Sequence, residues 1–437
     1  MAAIFPQKCT RVTFLYPLFD DRRKDDMRTA KIIGVVAEDR RFDLEDGAGQ
    51  DAINRNSQYS YGVCRLKTDA EIDGVGITFA LGTGTNLICA AIQEMSAGLI
   101  GREINELMQE FGKVFTALSD NFPYRWMGPH KGIVHLAVAS ITNACFDLWA
   151  KTKGVPLWKL LIDLKPEEIV SLLDFRYVED LLTKNEALGI LRAAEEGKAG
   201  RMKVLETGYD AYDTSVGWFN YSDEKVADNA RRSLDQGFRY VKLKVGSPDP
   251  AVDIRRAALL RDVIGGRAEF MVDCNQQWTL HQALDIIREL NRGKPFFVEE
   301  PTDPDDVLAH QTLVRVFPET RIALGEHVPN KVVFKNYLQA GAVGINQVDA
   351  TRVGGISEFI LISLMSKKCR VPVAPHAGDM GQIHQHMVLF NHISLNHPHL
   401  FMEYIPHLRK YFRFPIMVEN AKFITPQNPG SSCDFID

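Results

Sequence analysis

Several protein classes are excluded by what the sequence lacks. No two of its seven cysteines form a CxxC pair, which argues for a reducing compartment and against a cysteine-held zinc. No uninterrupted apolar run approaches the roughly 18–20 residues of a membrane span. No block of basic residues is present, and the formal net charge is only −5, so neither nucleic acid nor an anionic membrane is an expected partner. Internal repeats and low-complexity tracts are also missing. Met1–Leu18 is mildly apolar but runs into Asp20, Asp21, Asp25 and Asp26 with no small-residue cleavage site. A secretory signal is not expected, and cytoplasmic placement is, with mitochondrial import as the alternative.

What is present is a change of pattern partway along the chain. Residues 1–26 read as an extension. The runs starting at Lys31, Tyr61 and Asp73 read as strands of a small antiparallel sheet, with a polar Arg40–Ser60 loop between the first two. Ala91–Ile100 and Lys131–Lys151 read as helices, the second announced by Pro129. This gives an α+β domain over 27–165. Short apolar runs then alternate with amphipathic stretches over 166–405. The runs begin at Val170, Tyr240, Ala268, Pro295, Arg321, Gly344, Val371 and Leu400, with an interruption near 176–235. Strands alternating with helices of about 10–15 residues predict parallel βα units. Eight such runs predict a closed (β/α) barrel, so the fold class is α/β with an α+β capping domain. Residues 406–437 are expected to return to that domain.

A polar residue ends nearly every predicted barrel strand: Lys242 and Lys244, then Asp273, Glu299, Glu326, Asp349, His376 and Glu403. From Lys244 the gaps are 29, 26, 27, 23, 27 and 27 residues, about one βα unit each. These side chains should therefore meet at the C-terminal mouth. Asp273, Glu299 and Glu326 could each merely cap a following helix. Three in phase would repel in a partly buried mouth, and a hard cation held by oxygen resolves that conflict, which suits Mg²⁺. Lys242 and Lys244 lie two apart and face the same side; Lys244 fits a base with a lowered pKa and Lys242 a neutraliser of an oxyanion. Asp349 can orient His376 as a second acid or base. Glu403, if protonated, could donate to the same oxyanion. His384 and His386 are read as structural or solvated rather than as zinc ligands, and Gly82-Thr-Gly-Thr as a mobile loop.

The motifs Val241-Lys-Leu-Lys-Val-Gly246, Asp273-Cys-Asn275, Glu299-Glu-Pro301, Gly325-Glu326, Gln347-Val-Asp349 and Pro375-His-Ala-Gly378 resemble the mandelate racemase branch of the enolase superfamily. The similarity is strongest to its L-fuconate dehydratases and runs from about Met27 to Pro429. The resemblance implies an enolase-type barrel with Asp273, Glu299 and Glu326 holding Mg²⁺. It also implies Lys244 and His376 as acid and base on opposite faces of a sugar carboxylate, Asp349 paired with His376, and Glu403 on the enediolate. Asn275, Glu300, Arg352, Trp126 and Arg41 are the candidates for substrate contact. The capping domain, through Arg40–Ser60 and Gly82–Thr85, should close the mouth. The expected reaction removes an α-proton and eliminates the 3-hydroxyl, giving a 2-keto-3-deoxy acid, in a homo-oligomer acting on a small acid sugar. Alternatives are a dehydratase or epimerase for L-galactonate, D-arabinonate or L-rhamnonate, a silent regulatory relative, and a Schiff-base aldolase. Where L-fuconate dehydratases continue Pro-His-Ala-Gly with Gly-Val-Gly-Leu-Cys-Glu, this chain has Asp379-Met-Gly-Gln-Ile-His384. That difference is expected to alter the substrate's stereochemistry or length. The chain also stops at Asp437, earlier than the resemblance predicts.

Overall fold

Alternating apolar and polar residues near the start of the ordered chain produce an antiparallel sheet of β1 (Ile32–Asp43), β2 (Gln58–Thr68) and β3 (Gly74–Ala80), in that order. The structure, a computed structural model, describes residues 29–128, 130–398 and 401–436. The expected extension 1–26, Met27, the helix signal Pro129 and Leu400 lie outside the described residues. Strands β1 and β2 reach further than expected, which shrinks the Arg40–Ser60 loop to residues 44–57. The helix Gly132–Thr152 lies across β3. Gly74 and Gly76 make that approach possible, because a Cβ at either would collide with the helix backbone at Ala144 or Ser140. By length and composition this helix could cross a membrane, although polar residues interrupt its apolar run. It is buried in protein, and its Asp147 accepts from Val75 N at 2.8 Å and Ser431 N at 2.6 Å.

The barrel begins later than predicted. The Val170 run is not a strand: its first two residues close the helix Pro166–Ser171, whose first turn carries Pro166, Glu167 and Glu168. Proline and acidic residues favour a helix start there. The first barrel strand is instead β4 (Tyr209–Gly217), inside the stretch set aside as an interruption. It is followed by β5 (Tyr240–Lys244), β6 (Glu269–Asp273), β7 (Phe297–Glu299), β8 (Arg321–Leu324) and β9 (Ile345–Asn346), each parallel to its predecessor. The run from Val371 to His376 contributes only a bridge, Asn346 to Val373. Pro372 and Pro375 have no N–H to donate, which limits its ladder. The strand β10 (Phe401–Tyr404) pairs parallel with β4. The predicted α/β barrel with its capping domain is thus the observed fold.

Inside the barrel, Tyr212, Met271, Phe297, Ala323, Ile345, Ala374 and Phe401 pack into one apolar cluster. Two residues onward on the same strand faces stand Thr214, Asp273, Glu299, Gln347, His376 and Glu403, because side chains repeat every second residue. The C-terminal segment crosses back to the capping sheet: Phe435 packs on Phe42 and Tyr61 at ring separations of 5.0 and 5.2 Å. The hairpin β11 (Val418–Glu419) and β12 (Lys422–Phe423) adds antiparallel pairing to the start of β4.

Candidate active site

The register of β5, β6 and β7 sets Lys244 level with Asp273, and Asp273 level with Glu299. Ligand oxygens of Asp273, Glu299 and Glu326 lie within 4.8 Å of one another, and all three residues are buried. Oxygen donors so close suit a hard divalent cation. The residues present fit the expected Mg²⁺: the set is oxygen only, and Asn275, whose N–H reaches Asp273, has a buried Oδ1 with no partner of its own. A second grouping, Glu300, Glu326 and His327, shares Glu326, but Glu300 already accepts from His327 N at 3.1 Å and contacts His327 Nδ1 at 2.9 Å.

Two lysines flank the carboxylates. Lys242 Nζ stands 3.1 Å from Glu299, 2.8 Å from Glu403 and 3.6 Å from Asp273. Lys244 donates to Asp273. Burial pulls the Lys244 ammonium toward neutrality, but the Asp273 carboxylate overrides it and the pKa rises. The expected lowering is therefore not seen in the free protein, since a direct carboxylate bond favours the charged amine. Burial and the Asp273 charge push Glu299 up to about 8. Burial also works to raise Glu326, but His376, His327 and Lys244 outweigh it and hold the carboxyl at about 2.

On the opposite side, His376 Nδ1 bonds Asp349 Oδ2 at 2.7 Å, which leaves Nε2 facing Glu326 at 3.5 Å and Glu403 at 3.9 Å. Burial lowers the imidazole, yet Glu326, the Asp349 bond and Glu403 carry it up to about 9. Glu403 differs from expectation. Burial raises it, but Lys242 and His376 dominate and hold it at about 2, while Thr214 Oγ1 donates to it at 2.6 Å. In the metal-free protein its carboxylate pairs with Lys242 at 2.8 Å, which favours the charged form.

Not every candidate reaches this cluster. Trp126 is 94% exposed, and Arg41 is bound to Asp39 at 2.8 Å on the same strand. Neither joins the buried site; a polar-and-aromatic motif carries no sign of which way its side chains turn. Glu300 is engaged by His327 and Gln276. Arg352 sits over the Phe79 ring at 5.9 Å, and Asn275 is buried with its N–H on Asp273 Oδ1 at 3.1 Å. The Gly82–Thr85 turn starts the helix Thr85–Met95 and is tied to Ser60 by Gly82 N at 2.7 Å.

The 40–60 segment was expected to close the mouth, but the sequence did not single out Asp51 and Tyr59 within it. Residues 44–57 fold onto the mouth: Phe219 N donates to Gln50 O at 3.1 Å, and Ala52 abuts Gly246. The same loop brings Asp51 within the field of Lys244, Glu326 and Asp273, and burial raises its pKa. Tyr59 feels Lys244, Asp51 and Glu403, and burial raises its hydroxyl too. Further cross-bonds join Tyr61 OH to Gly378 O at 2.7 Å and Thr78 Oγ1 to Thr351 O at 2.7 Å. A loop without periodicity gives no signal for such positions. His386 is structural, as expected: its Nδ1 accepts from Trp158 N at 3.1 Å, and burial pulls the ring down to about 3. His384 is not solvated, since its Nε2 lies 2.8 Å from Asp349 Oδ1.

A capped parallel barrel whose rim brings three carboxylates between a lysine and a histidine–aspartate pair defines a barrel enzyme of the enolase type. The chain belongs to the mandelate racemase / muconate lactonizing enzyme family: the N-terminal domain model of that family matches residues 46–161, and the enolase C-terminal domain-like model matches 225–436. It is similar to human mitochondrial enolase superfamily member 1, with 39% identity over 89% of each chain. The crystal structure of that human protein superposes with a TM-score of 0.90, covering 94% of this chain and 95% of the other. An L-galactonate dehydratase of Hypocrea jecorina is 37% identical over 93% of this chain and 92% of its own length. The fold is shared with an L-talarate/galactarate dehydratase of Salmonella typhimurium liganded with Mg, at TM-score 0.73 and 24% identity, covering 96% of this chain and 93% of that one.

Proposed function

We propose that this chain is a Mg²⁺-dependent acid-sugar dehydratase, a hydro-lyase whose substrate is an aldonate of the L-fuconate or L-galactonate configuration. The observation that carries the reading is the convergence of Asp273, Glu299 and Glu326 within 4.8 Å, set between the amine of Lys244 and the imidazole of His376. The resemblance to the L-galactonate dehydratase supports the substrate class. L-Fuconate and L-galactonate share every stereocentre and differ only in the hydroxyl at C6, so one site can take both.

Asp273, Glu299 and Glu326 would hold the cation, which when bound makes the α-proton of a chelated carboxylate more acidic and offsets the negative charge around Lys244 and His376. Lys244 and His376 present a proton acceptor and a proton donor from opposite sides of the mouth. One takes the α-proton, and the other protonates the departing 3-hydroxyl. Lys242, anchored by Glu403, faces the oxygen on which negative charge develops. The resulting enol tautomerises to the 2-keto-3-deoxy acid. The 44–57 loop, through Asp51, and Tyr59 cover the mouth and exclude water.

The test is a panel of aldonates scored for 2-keto-3-deoxy product, with and without chelator. Turnover of L-fuconate and L-galactonate that EDTA abolishes and Mg²⁺ restores is the expected result. Product from D-arabinonate or L-rhamnonate alone would move the substrate assignment, and borohydride trapping on a lysine without metal would replace the mechanism. The name of the vertebrate relatives supports a mitochondrial setting as the alternative to the cytoplasm, decided by fractionating cells that express a C-terminally tagged chain.

A further inference from the structure

Behind the catalytic histidine lies a second buried cluster that the chemistry above does not use. Asp349 binds His376 through Oδ2, while Oδ1 lies 2.8 Å from His384 Nε2. The other nitrogen of His384, Nδ1, is 3.1 Å from Asp379 Oδ2, at ion-pair distance though not aligned as a hydrogen bond. All four residues are buried, so imidazole and carboxylate alternate along one chain: His376, Asp349, His384, Asp379. Thr351 adds its N–H at 2.6 Å and its hydroxyl at 2.7 Å to Asp349 Oδ1.

We propose that His384, braced by Asp379, is a positioning residue for the dehydration: it pins the Asp349 carboxylate and so fixes the orientation and tautomer of His376. The inference rests on the assignment of His376 to the acid–base chemistry. Thr351 already holds Asp349 Oδ1 with two hydrogen bonds; a cation on the same oxygen adds a charge-assisted bond that tightens the hold on the carboxylate and through it on the ring. His384 supplies the cation. Burial disfavours its charge, but Asp349 and Asp379 outweigh burial and push its pKa up to about 10. The Ala350 N–H also points at Nε2, at 3.1 Å; it can donate only to an unprotonated Nε2, whereas the two carboxylates beside the ring, Asp349 and Asp379, favour the protonated form. Tyr61 and Cys433 are the other titratable groups that feel Asp379. On the substrate side His376 faces Glu326 and Glu403. The altered stretch Asp379-Met-Gly-Gln-Ile-His384 therefore turns its two ionisable side chains toward the back of Asp349 and not toward a substrate.

The test compares His384→Gln and Asp379→Asn with the wild type, in kcat, KM, Mg²⁺ affinity and unfolding midpoint. His384→Gln should lower kcat by about 10–100-fold, the usual effect of removing such a supporting bond, with KM and Mg²⁺ affinity within about twofold. Asp379→Asn should move the same way by less. A kcat within twofold of wild type in His384→Gln overturns the proposal, as does a loss divided equally between KM and kcat. Should His384→Gln fail to fold, Asp379→Asn decides, and an unchanged kcat there overturns it. If the wild type turns over no aldonate, the functional reading fails separately. The crystal structure of His384→Gln then decides this one: a His376 ring turned away from Asp349 supports it, and an unmoved ring overturns it.

Discussion

Two residues along each strand separate the floor of the barrel from its rim. At the floor, Tyr212, Met271, Phe297, Ala374 and Phe401 fill the bore with apolar surface. At the rim, the same strand faces carry Thr214, Asp273, Glu299, His376 and Glu403. The floor is stabilised by contact and needs nothing from outside. The rim is a crowd of carboxylates that Lys242 and Lys244 only partly neutralise, an oxygen-donor arrangement that suits a divalent cation. One layer carries stability and the other chemistry, a division that barrels permit because period-two strands stack their inward side chains in layers. Lys242 is the exception. It stands level with Met271 in the floor layer, yet its amine reaches up to Glu299 and Glu403.

The comparison can be broken from either layer. The largest effect is expected from removing the cation: chelation should abolish dehydration, and added Mg²⁺ should restore it, measured by product formation. Next come Lys244→Ala and His376→Asn. Each should lower kcat by about 10²–10⁴-fold, the range for a positioned acid or base, while Mg²⁺ binding and the unfolding midpoint stay near wild type. Near-normal turnover in either variant would remove that residue from the chemistry. A floor substitution should do the reverse. Phe297→Ala leaves a buried cavity and should cost about 3–5 kcal/mol of stability in denaturant titrations, with kcat of the folded protein much less affected.

The smallest effect concerns pH and sharpens the contrast. Glu299 holds its proton up to about 8 in the folded, metal-free chain, first through burial and then through Asp273. Below the ordinary carboxylate range the group is protonated in both states and stability is complete. As pH climbs through 8, the unfolded state has already lost a proton that the folded state keeps or must give up at a cost, so stability falls. The metal-free unfolding midpoint should therefore drop between about pH 5 and 8, and Glu299→Gln should flatten that drop. No change of slope in the variant would mean that the rim carries no such strain.

Most of the rim could be read from the sequence because spacing and alternation are one-dimensional signals. The interval from Lys244 to Glu403 repeats at the length of a βα unit, and the polar residues fall at strand ends. The first strand was hidden for a physical reason. Asp213, Thr214 and Ser215 make β4 look like loop, and their polar groups are satisfied only by partners such as Ser233, 2.8 Å from Asp213. The Val170 run, apolar enough for a strand, was captured by the helix-starting Pro166. Asp51 and Tyr59 were illegible because their role depends on how the capping loop lies over the barrel. His384 sits on a helix, where neither period nor spacing connects it to Asp349.

Asp273, Glu299 and Glu326 are proposed to share one divalent cation. Calorimetric titration of metal-free protein with Mg²⁺ tests that sharing directly, in the wild type and in Asp273→Asn, Glu299→Gln and Glu326→Gln. One ion per chain in the wild type and loss of binding in each variant are the expected results. Wild-type protein that takes up no Mg²⁺, or variants that bind it as well as the wild type does, would contradict it.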